Sequence, residues 1–206
     1  MKYIDLTQSF VNNMPVFPGN PPSELTLANT FAKDGYNVSK VNTGMHVGSH
    51  MDAPNHMLQE GRKLIDYPIE TFFGRGVLID ARGIKQIDAK VLDGVDIQKG
   101  DIVLVLTGFS DHLHQPDYYT NYPVITNDFA IRLTELGVKI LGLDTPSPDN
   151  APYEVHKILF KKGILILESL TNFESLLNIN SFDVVALPVK FDAEAALVRV
   201  VAQIHD

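Results

Sequence analysis

The chain has 206 residues, a formal net charge of −8 and no cysteine. Because domains run to roughly 100–200 residues, we expect residues 1–206 to form one domain. An acidic surface disfavours binding to nucleic acid or to anionic membranes, and the lack of cysteine excludes a disulfide scaffold, a Cys nucleophile and a Cys-ligated zinc finger. Neither a signal-peptide core nor an apolar segment of about 18 residues is present, so we expect a soluble, cytoplasmic protein.

Proline and glycine divide the chain into short apolar runs that predict a mixed α/β domain with more strands than helices. A short strand is expected at residues 4–10, followed by a stiff, irregular, proline-rich loop at 15–22. Continuous apolar runs, which are typical of strands buried on both faces, occur at residues 76–80, 101–106, 139–144, 163–168, 182–189 and 196–204. Helices are expected at 127–136, ending before Gly137, and at 156–162.

Three histidines and one aspartate fall within one segment of eleven residues: His46, His50, Asp52 and His56. A helix would place Asp52 about 240° round from His46, and the Gly, Ser and Pro residues of this segment disfavour a helix. In an extended chain all four side chains share one face, because their positions are all even-numbered. The pattern therefore indicates ligands on extended chain rather than a helical zinc site.

A straight strand would hold the first two of these histidines about 13 Å apart, which is too far for both to bind one ion. The chain must bend between them, and Gly48 is the residue that bends most easily. Pro54 then makes a stiff turn that returns His56 toward the others. We interpret the segment as a curved loop around a cation, for which imidazole and carboxylate ligands suit Zn²⁺ or Mn²⁺. The alternative is an ordinary solvated loop.

Residues 46–56, with the sequence HVGSHMDAPNH, resemble the signature of the metal-dependent cyclase/kynurenine formamidase family, in which Thr is commoner than the Ser found at position 49. That family includes bacterial kynurenine formamidases, isatin hydrolases and enzymes described as polyketide cyclases. The resemblance extends along the chain, through residues 4–7, 15–19, 107–108, 142–149 and 168–172. It implies a mixed α+β fold of the cyclase/formamidase type, with a barrel-like β-sheet and a few flanking helices, and a homodimer.

The same resemblance implies a site for two divalent metals in each subunit, with zinc expected and manganese as the alternative. His46 and His50 would bind the first metal, His156 would bind the second, and Asp52 and Glu168 would bridge the two. Glu168 also stands out without the resemblance, because a carboxylate at the buried end of an apolar strand is costly unless it is paired or metal-bound.

These features predict a metal-dependent hydrolase of a small-molecule amide, acting on C–N bonds other than peptide bonds. The leading hypothesis is an arylformamidase that converts N-formylkynurenine to kynurenine and formate, a step of tryptophan catabolism, with His56 as the proton-transfer residue. The runner-up is a cyclic amide or lactone hydrolase of the isatin-hydrolase type. An alternative of another class is a non-catalytic metal-binding protein.

Two departures from the family bear on the substrate. Phe17 stands where the kynurenine formamidases of the family have a Trp that stacks on the aryl ring; the resemblance thus implies substrate stacking by Phe17, which offers a smaller face. Residues 190–199 lack the Gly-rich turn that is common in the family before its last Arg.

Other polar and aromatic residues are expected to have supporting roles. His112 and His114 are predicted to lie in a solvated loop, and Asp144 to orient a ligand or cap a turn. The tyrosines at 118, 119 and 122 indicate a loop that packs or lines a pocket, with packing the favoured interpretation.

Overall fold

The chain folds around a β-sheet that closes into a barrel, and the computed structural model describes residues 1–205. The strands are β1 (Lys2–Asp5), β2 (Glu24–Asn29), β3 (Val38–Asn42), β4 (His50–Asp52), β5 (Phe73–Asp80), β6 (Gln86–Ile87), β7 (Ile102–Leu106), β8 (Val124–Ile125), β9 (Ile140–Leu143), β10 (Leu165–Glu168), β11 (Phe182–Pro188) and β12 (Ala195–Ile204). The helices are α1 (Phe31–Asp34), α2 (Asn127–Leu136) and α3 (Glu154–Phe160). Within the described residues, no helix has the length and apolar character needed to cross a membrane.

Seven strands form the closed ring, in the order β12, β11, β5, β7, β9, β10 and β4, and β4 pairs back with β12. The pairs β5–β7, β7–β9 and β9–β10 are parallel, whereas the pairs made by β4, β11 and β12 are antiparallel. The start of β12 pairs with β4 and its end pairs with β1. Closure therefore places the short strand β4 between the end of β10 and the beginning of β12.

Two apolar clusters pack against opposite faces of the barrel wall, and alternate residues of β7 divide between them. Ile102, Leu104 and Leu106 belong to the cluster inside the barrel. Val103 and Val105 belong to the cluster between the wall and helices α2 and α3. Because both faces of this parallel strand are covered, its sequence is apolar at every position.

A third apolar cluster holds the proline-rich N-terminal loop over one end of the barrel. Met14, Val47, Tyr118 and Tyr122 are among its buried members. Val16 of the loop also forms an isolated β-bridge with Val47, just before β4. These contacts fix an irregular loop against the chain that leads into β4.

The predicted mixed α/β fold with a barrel-like sheet and flanking helices is confirmed, and the six apolar runs form β5, β7, β9, β10, β11 and β12. The helix expected at 156–162 begins earlier, at Glu154. The strand expected at 4–10 is wrong beyond Asp5, where β1 ends and the chain becomes irregular. The β2–β3 hairpin was not predicted, because most of its side chains are exposed and it has no continuous apolar run.

Candidate metal centre

Strand β4 carries two of the candidate ligands on the outer face of the barrel wall. Met51 packs into the barrel interior, so the neighbouring side chains of His50 and Asp52 point outward by the alternation of a strand. On β10, Glu168 is the direct antiparallel partner of His50. This register brings a histidine and a carboxylate from distant parts of the sequence face to face.

The prediction of a curved loop at 46–56 is wrong for the middle of this segment, where residues 50–52 form strand β4. The two bends lie where they were expected. Gly48 has φ of 60°, a left-handed conformation that glycine adopts readily. A single 3₁₀ turn, Pro54–His56, follows β4 with proline at its first position. The two bends turn His46 and His56 toward the outward face of β4.

Four of the candidate residues form a buried group, with side chains no more than 6% exposed. His50 Nε2 lies 3.4 Å from Asp52 Oδ1 and 3.2 Å from Glu168 Oε2. His156 reaches the group from α3, and its Nε2 lies 3.4 Å from Glu168 Oε1. The residues predicted to act together are therefore adjacent, although His156 is more than one hundred residues away from β4 in the sequence. Their individual roles stay predictions.

His46 and His56 form the outer rim of the same group, with side chains 21% and 26% exposed. His46 Nδ1 lies 3.0 Å from Asp52 Oδ1, and His56 Nε2 lies 4.0 Å from Asp52 Oδ2. The two imidazole rings pack against each other at a tilt of 36°, with centroids 4.1 Å apart. Burial lowers the pKa of His56, which favours its neutral form near neutral pH.

The ligand atoms are spaced as a divalent metal requires. Two ligand atoms about 2.05 Å from an ion, at the tetrahedral angle, lie about 3.4 Å apart. The buried N–O separations of 3.2–3.4 Å match that distance. His50 Nε2, Glu168 Oε1 and both carboxylate oxygens of Asp52 are buried without a hydrogen-bond partner. Buried polar atoms that converge without hydrogen bonding to one another fit a cation between them.

Two overlapping sets of three residues bring potential ligand atoms within 4.8 Å of one another, and both include Asp52. One set is His50, Asp52 and Glu168, which are all buried; the other is His46, Asp52 and His56, which includes the rim. Asp52 is therefore common to both possible groupings of ligand atoms.

The histidines and carboxylates of the group shift one another's pKa toward the charged forms. Burial opposes protonation of His46, but the carboxylates of Asp52, Glu168 and Glu194 together outweigh burial and raise the pKa of His46 to about 9. Burial also opposes protonation of His156, whose pKa is raised to about 10 by its contacts with Asp149 and Glu168. The histidines in turn hold the pKa of Asp52 and Glu168 below their ordinary values, against the effect of burial. Metal binding would displace the protons, because imidazole binds metals in its neutral form.

The two buried histidines are each held through the ring nitrogen that faces away from the carboxylates. His50 Nδ1 donates to the carbonyl oxygen of Gly48 at 2.8 Å. His156 Nδ1 donates to Asp149 Oδ1 at 2.6 Å, and the other oxygen of Asp149 accepts the Val155 N–H. Metal-ligating histidines almost always donate their outer N–H in this way.

The rim histidines differ in this respect. His46 Nε2 lies 3.3 Å from Glu194 Oε1, so this ring also has an outer acceptor. Among residues 1–205 no hydrogen bond is made by the His56 ring, and the nearest carboxylate oxygen to its Nε2 is Asp52 Oδ2 at 4.0 Å. His56 is therefore the histidine of the group whose ring is least constrained by hydrogen bonds.

A cavity of about 280 Å³ opens above these residues. Phe17 and Tyr119 form one wall, with ring centroids 5.6 Å apart in an edge-on arrangement, and Tyr153 lines it as well. The Tyr119 hydroxyl donates to the carbonyl oxygen of Pro15 at 2.9 Å, which ties the loop carrying Phe17 to this wall. The cavity thus suits a flat, partly aromatic molecule next to the ligand atoms.

The other predicted residues lie outside the metal centre. Asp144 is buried and accepts hydrogen bonds from the backbone N–H groups of Thr107 and Gly108. Of its two predicted roles, orienting a ligand or capping a turn, these contacts favour the turn. Burial raises the pKa of Asp144 to about 6 despite these hydrogen bonds. His112 and His114 are exposed, in agreement with a solvated loop.

Sequence reasoning missed several residues that support the site. Among the three tyrosines, for which packing was the favoured interpretation, Tyr118 and Tyr122 do pack in an apolar cluster, whereas Tyr119 lines the cavity. Asp149 and Glu194 were not singled out, because no local pattern reveals a carboxylate whose partner is remote in sequence. Apart from Asp144, the DTPSPD run at 144–149 was noted only as part of the family resemblance.

Comparison with known proteins agrees with this fold. Residues 4–150 match a family model named Cyclase and described as "Putative cyclase". A kynurenine formamidase from Bacillus cereus (strain ATCC 10987 / NRS 248) is 31% identical over 205 residues, which cover 97% of this chain and 96% of the relative. A solved structure described as a "Potential Metal-Dependent Hydrolase With Cyclase Activity" is 26% identical, with a TM-score of 0.82 over 100% of this chain and 98% of its own. Isatin hydrolase A from Labrenzia aggregata shares the fold, with a TM-score of 0.89 at 21% identity over 100% of this chain and 94% of its own.

The barrel and the histidine–carboxylate group on its outer wall define a metal-dependent hydrolase. The predicted enzyme class is thus confirmed, and the alternative of a non-catalytic metal-binding protein is not supported. The chain belongs to the Cyclase family, as the sequence signature indicated.

Proposed function

We propose that this hydrolase cleaves a small aryl amide of the N-formylkynurenine type, releasing formate and an aryl amine. The observation that carries the proposal is the position of the buried ligand group at the floor of a cavity walled by Phe17 and Tyr119. A substrate ring packed against this aromatic wall would place its amide next to the ligands. The similarity to kynurenine formamidases along nearly the whole chain supports the same substrate class.

We propose zinc as the metal, with two ions per subunit and manganese as the alternative. His46 and His50 would hold the first ion, His156 the second, with Asp52 and Glu168 shared between them. The outer nitrogens of the three histidines have acceptors in the protein, which supports their assignment as ligands. A divalent metal at this site supplies a Lewis acid that lowers the pKa of a water molecule and stabilises negative charge on the attacked carbonyl oxygen.

His56 is the proposed proton-transfer residue. Its pKa lies below the ordinary value, so the neutral imidazole is available to accept a proton from the water that attacks the carbonyl carbon. As the C–N bond breaks, the same nitrogen returns that proton to the amine, which leaves neutral. The weak constraint on its ring by the protein is compatible with movement of a proton between two positions. With no cysteine in the chain, a thiolate nucleophile is not available.

A cyclic amide or lactone hydrolase of the isatin-hydrolase type is the second candidate. The overlap with isatin hydrolase A concerns the fold alone. The specific observation in its favour is the wall formed by Phe17 and Tyr119, which would accept a fused bicyclic ring as well as a monocyclic one. For this candidate manganese is the proposed metal.

We further propose that the protein is a cytoplasmic homodimer acting in tryptophan catabolism. The β2–β3 hairpin and α1 support self-association, because they expose large apolar side chains, among them Leu27, Phe31, Tyr36 and Val41. Exposed apolar patches of this kind often mark protein interfaces. Sedimentation velocity of the wild type and of a Phe31→Ser, Val41→Ser variant tests the dimer, and an unchanged sedimentation coefficient in the variant would contradict a dimer formed through the hairpin.

The substrate proposal is tested by removing metal with a chelator and reloading the protein with zinc or manganese alone. Anomalous scattering at the two metal edges counts the ions, while N-formylkynurenine, isatin and simple aryl lactones are assayed in parallel. We expect the zinc protein to hydrolyse N-formylkynurenine with the highest kcat/KM. Preference for isatin with manganese would favour the second candidate, and no activity on any of these compounds would overturn both substrate assignments.

A further inference from the structure

Glu194 lies at the rim of the metal centre, and neither the signature nor the proposed mechanism gives it a role. It directly precedes β12, whose first residue, Ala195, pairs with Asp52 of β4. Its carbonyl oxygen accepts the N–H of Ala53 at 2.9 Å. The backbone of Glu194 is therefore anchored by the same ladder that positions Asp52.

The side chain of Glu194 extends from this anchor to His46. The imidazole of His46 lies between two carboxylates, with Nδ1 at 3.0 Å from Asp52 Oδ1 and Nε2 at 3.3 Å from Glu194 Oε1. A neutral imidazole has one N–H, and the nitrogen that carries it cannot bind a metal. When Nε2–H donates to Glu194, the lone pair is at Nδ1 and faces Asp52.

Glu194 differs from the acceptors that hold the other two ligand histidines. Those acceptors are the main-chain oxygen of Gly48 and the buried carboxylate of Asp149, which neighbouring backbone fixes in place. The Glu194 side chain is 37% exposed, and its hydrogen bond to His46 is the longest of the three. His46 itself precedes β4 and is not part of a strand, so it has less backbone support than His50.

We propose that Glu194 is a positioning residue, which holds His46 in the tautomer and orientation that present Nδ1 to a metal and thereby sets the metal affinity at the rim. The inference rests on the metal site of the proposed function but not on any particular substrate. It also gives a role to the segment at 190–199, where the chain departs from the Gly-rich turn of the family.

The test compares variants that remove different properties of the side chain. Glu194→Ala removes the acceptor, and Glu194→Gln keeps an amide oxygen that can accept the same N–H. Asp192→Ala is the matched control, because Asp192 lies two residues away in the same segment, carries the same charge, and pairs with Lys63 at 3.0 Å rather than with the site. Zinc affinity is measured for each full-length protein by competition with a chromophoric chelator.

We expect Glu194→Ala to weaken zinc binding by about 10–100-fold, as is typical when the outer partner of a ligand histidine is lost. Glu194→Gln should recover most of that loss, and Asp192→Ala should bind zinc like the wild type. In ¹⁵N-histidine NMR spectra of the zinc-loaded wild type and Gln variant, His46 should show a single tautomer. Its proton should be on Nε2, and its Nδ1 lone pair should be bound to the metal. In the Ala variant this signal should shift or broaden.

Wild-type zinc affinity and an unchanged His46 signal in Glu194→Ala would overturn the inference. Equal weakening in Glu194→Ala and Asp192→Ala would also overturn it, because only the net negative charge of the segment would then matter. Failure of the proposed function has a different signature. In that case the wild-type protein binds zinc but does not cleave N-formylkynurenine, while the order of the variants in zinc affinity still holds.

Discussion

The metal centre has a deep half and a rim half that the protein supports in different ways. The deep half, formed by His50, Asp52, His156 and Glu168, is buried against the barrel wall. The rim half, formed by His46 and His56, is partly exposed and faces the cavity. Backbone oxygen, buried carboxylate and strand register hold the deep half. In the rim, His46 depends on the side chain of Glu194, and the His56 ring makes no hydrogen bond within residues 1–205.

This difference separates two tasks that a hydrolytic site must perform. Holding a divalent ion requires fixed, desolvated ligands, because ligand displacement of even a fraction of an ångström weakens binding. Exchanging protons and admitting substrate requires groups that can move and that meet solvent. Substitutions in the deep half should therefore change metal binding, whereas the rim contains both a proposed ligand, His46, and the proposed proton-transfer residue, His56.

Asp52 belongs to both candidate ligand sets, so its substitution should have the largest effect. We expect Asp52→Asn to lose bound metal and to lower kcat by at least ~10³-fold, because metal stabilisation of the transition state amounts to several kcal/mol and each 1.4 kcal/mol is roughly tenfold. Elemental analysis and steady-state kinetics check this. Asp144→Asn is the control: this buried carboxylate supports a turn, so the variant should lose about 1–3 kcal/mol of stability but keep its metal. Full metal content in Asp52→Asn would contradict the shared-ligand assignment.

Substitution of His56 tests whether this rim residue transfers protons rather than binding metal. We expect His56→Ala to lower kcat by about 10²–10⁴-fold, the usual contribution of general acid–base catalysis, without loss of metal. Metal content and kcat are measured on the same preparation. His112→Ala, a change at an exposed histidine that stacks on Phe109, should leave both unchanged. Should His56→Ala also lose metal, His56 would be a ligand, as its place in the rim set allows.

The pH dependence of stability should differ between metal-free and zinc-loaded protein. In the folded chain the pKa is raised to about 9 for His46 and to about 10 for His156. A histidine whose folded-state pKa is raised stabilises the fold fully below its unfolded pKa of ~6.5, and this contribution is lost as the pH rises through the folded value. We therefore expect the Tm of chelator-treated protein to fall between pH ~7 and ~10, by about 2–4 °C for each kcal/mol lost.

Zinc-loaded protein should show a smaller decrease over the same range, because a bound ion takes the place of the protons. His205→Ala is a suitable control, since its ring pairs with Asp183 on the surface and should not contribute to the difference. Parallel Tm curves with and without zinc would show that the ion does not replace these protons.

Phe17 should give the smallest effect and report on the substrate alone. We expect Phe17→Ala to raise KM for an aryl formamide by about 2–10-fold with little change in kcat, since an aromatic contact contributes about 0.5–1.5 kcal/mol. Phe17→Trp, which introduces the residue of the related formamidases, should lower KM. Phe191→Ala, at an exposed phenylalanine, is the control. An unchanged KM for Phe17→Ala would remove this wall from the proposed substrate site.

Local sequence properties predicted the central part of the fold and half of the site. The apolar runs predicted the buried strands because both faces of these strands are covered. The even-numbered spacing of His46, His50, Asp52 and His56 indicated that these side chains share one face of an extended chain. A glycine and a proline indicated the bends on either side. The β2–β3 hairpin escaped detection because its pairing buries few side chains and leaves no periodic signal.

By itself, the sequence determined the ligand types, the bend at Gly48 and, through the family signature, the enzyme class. Only the tertiary structure decided how remote groups meet them: Glu168, which the resemblance had implied, through its register with His50, and Asp149 and Glu194, which the sequence did not reveal, through outer hydrogen bonds to two of the histidines. The physical reason is that chain periodicity reports which face a side chain occupies. The strand pairing that closes the barrel, and thus the partner across that face, follows from packing of the whole chain.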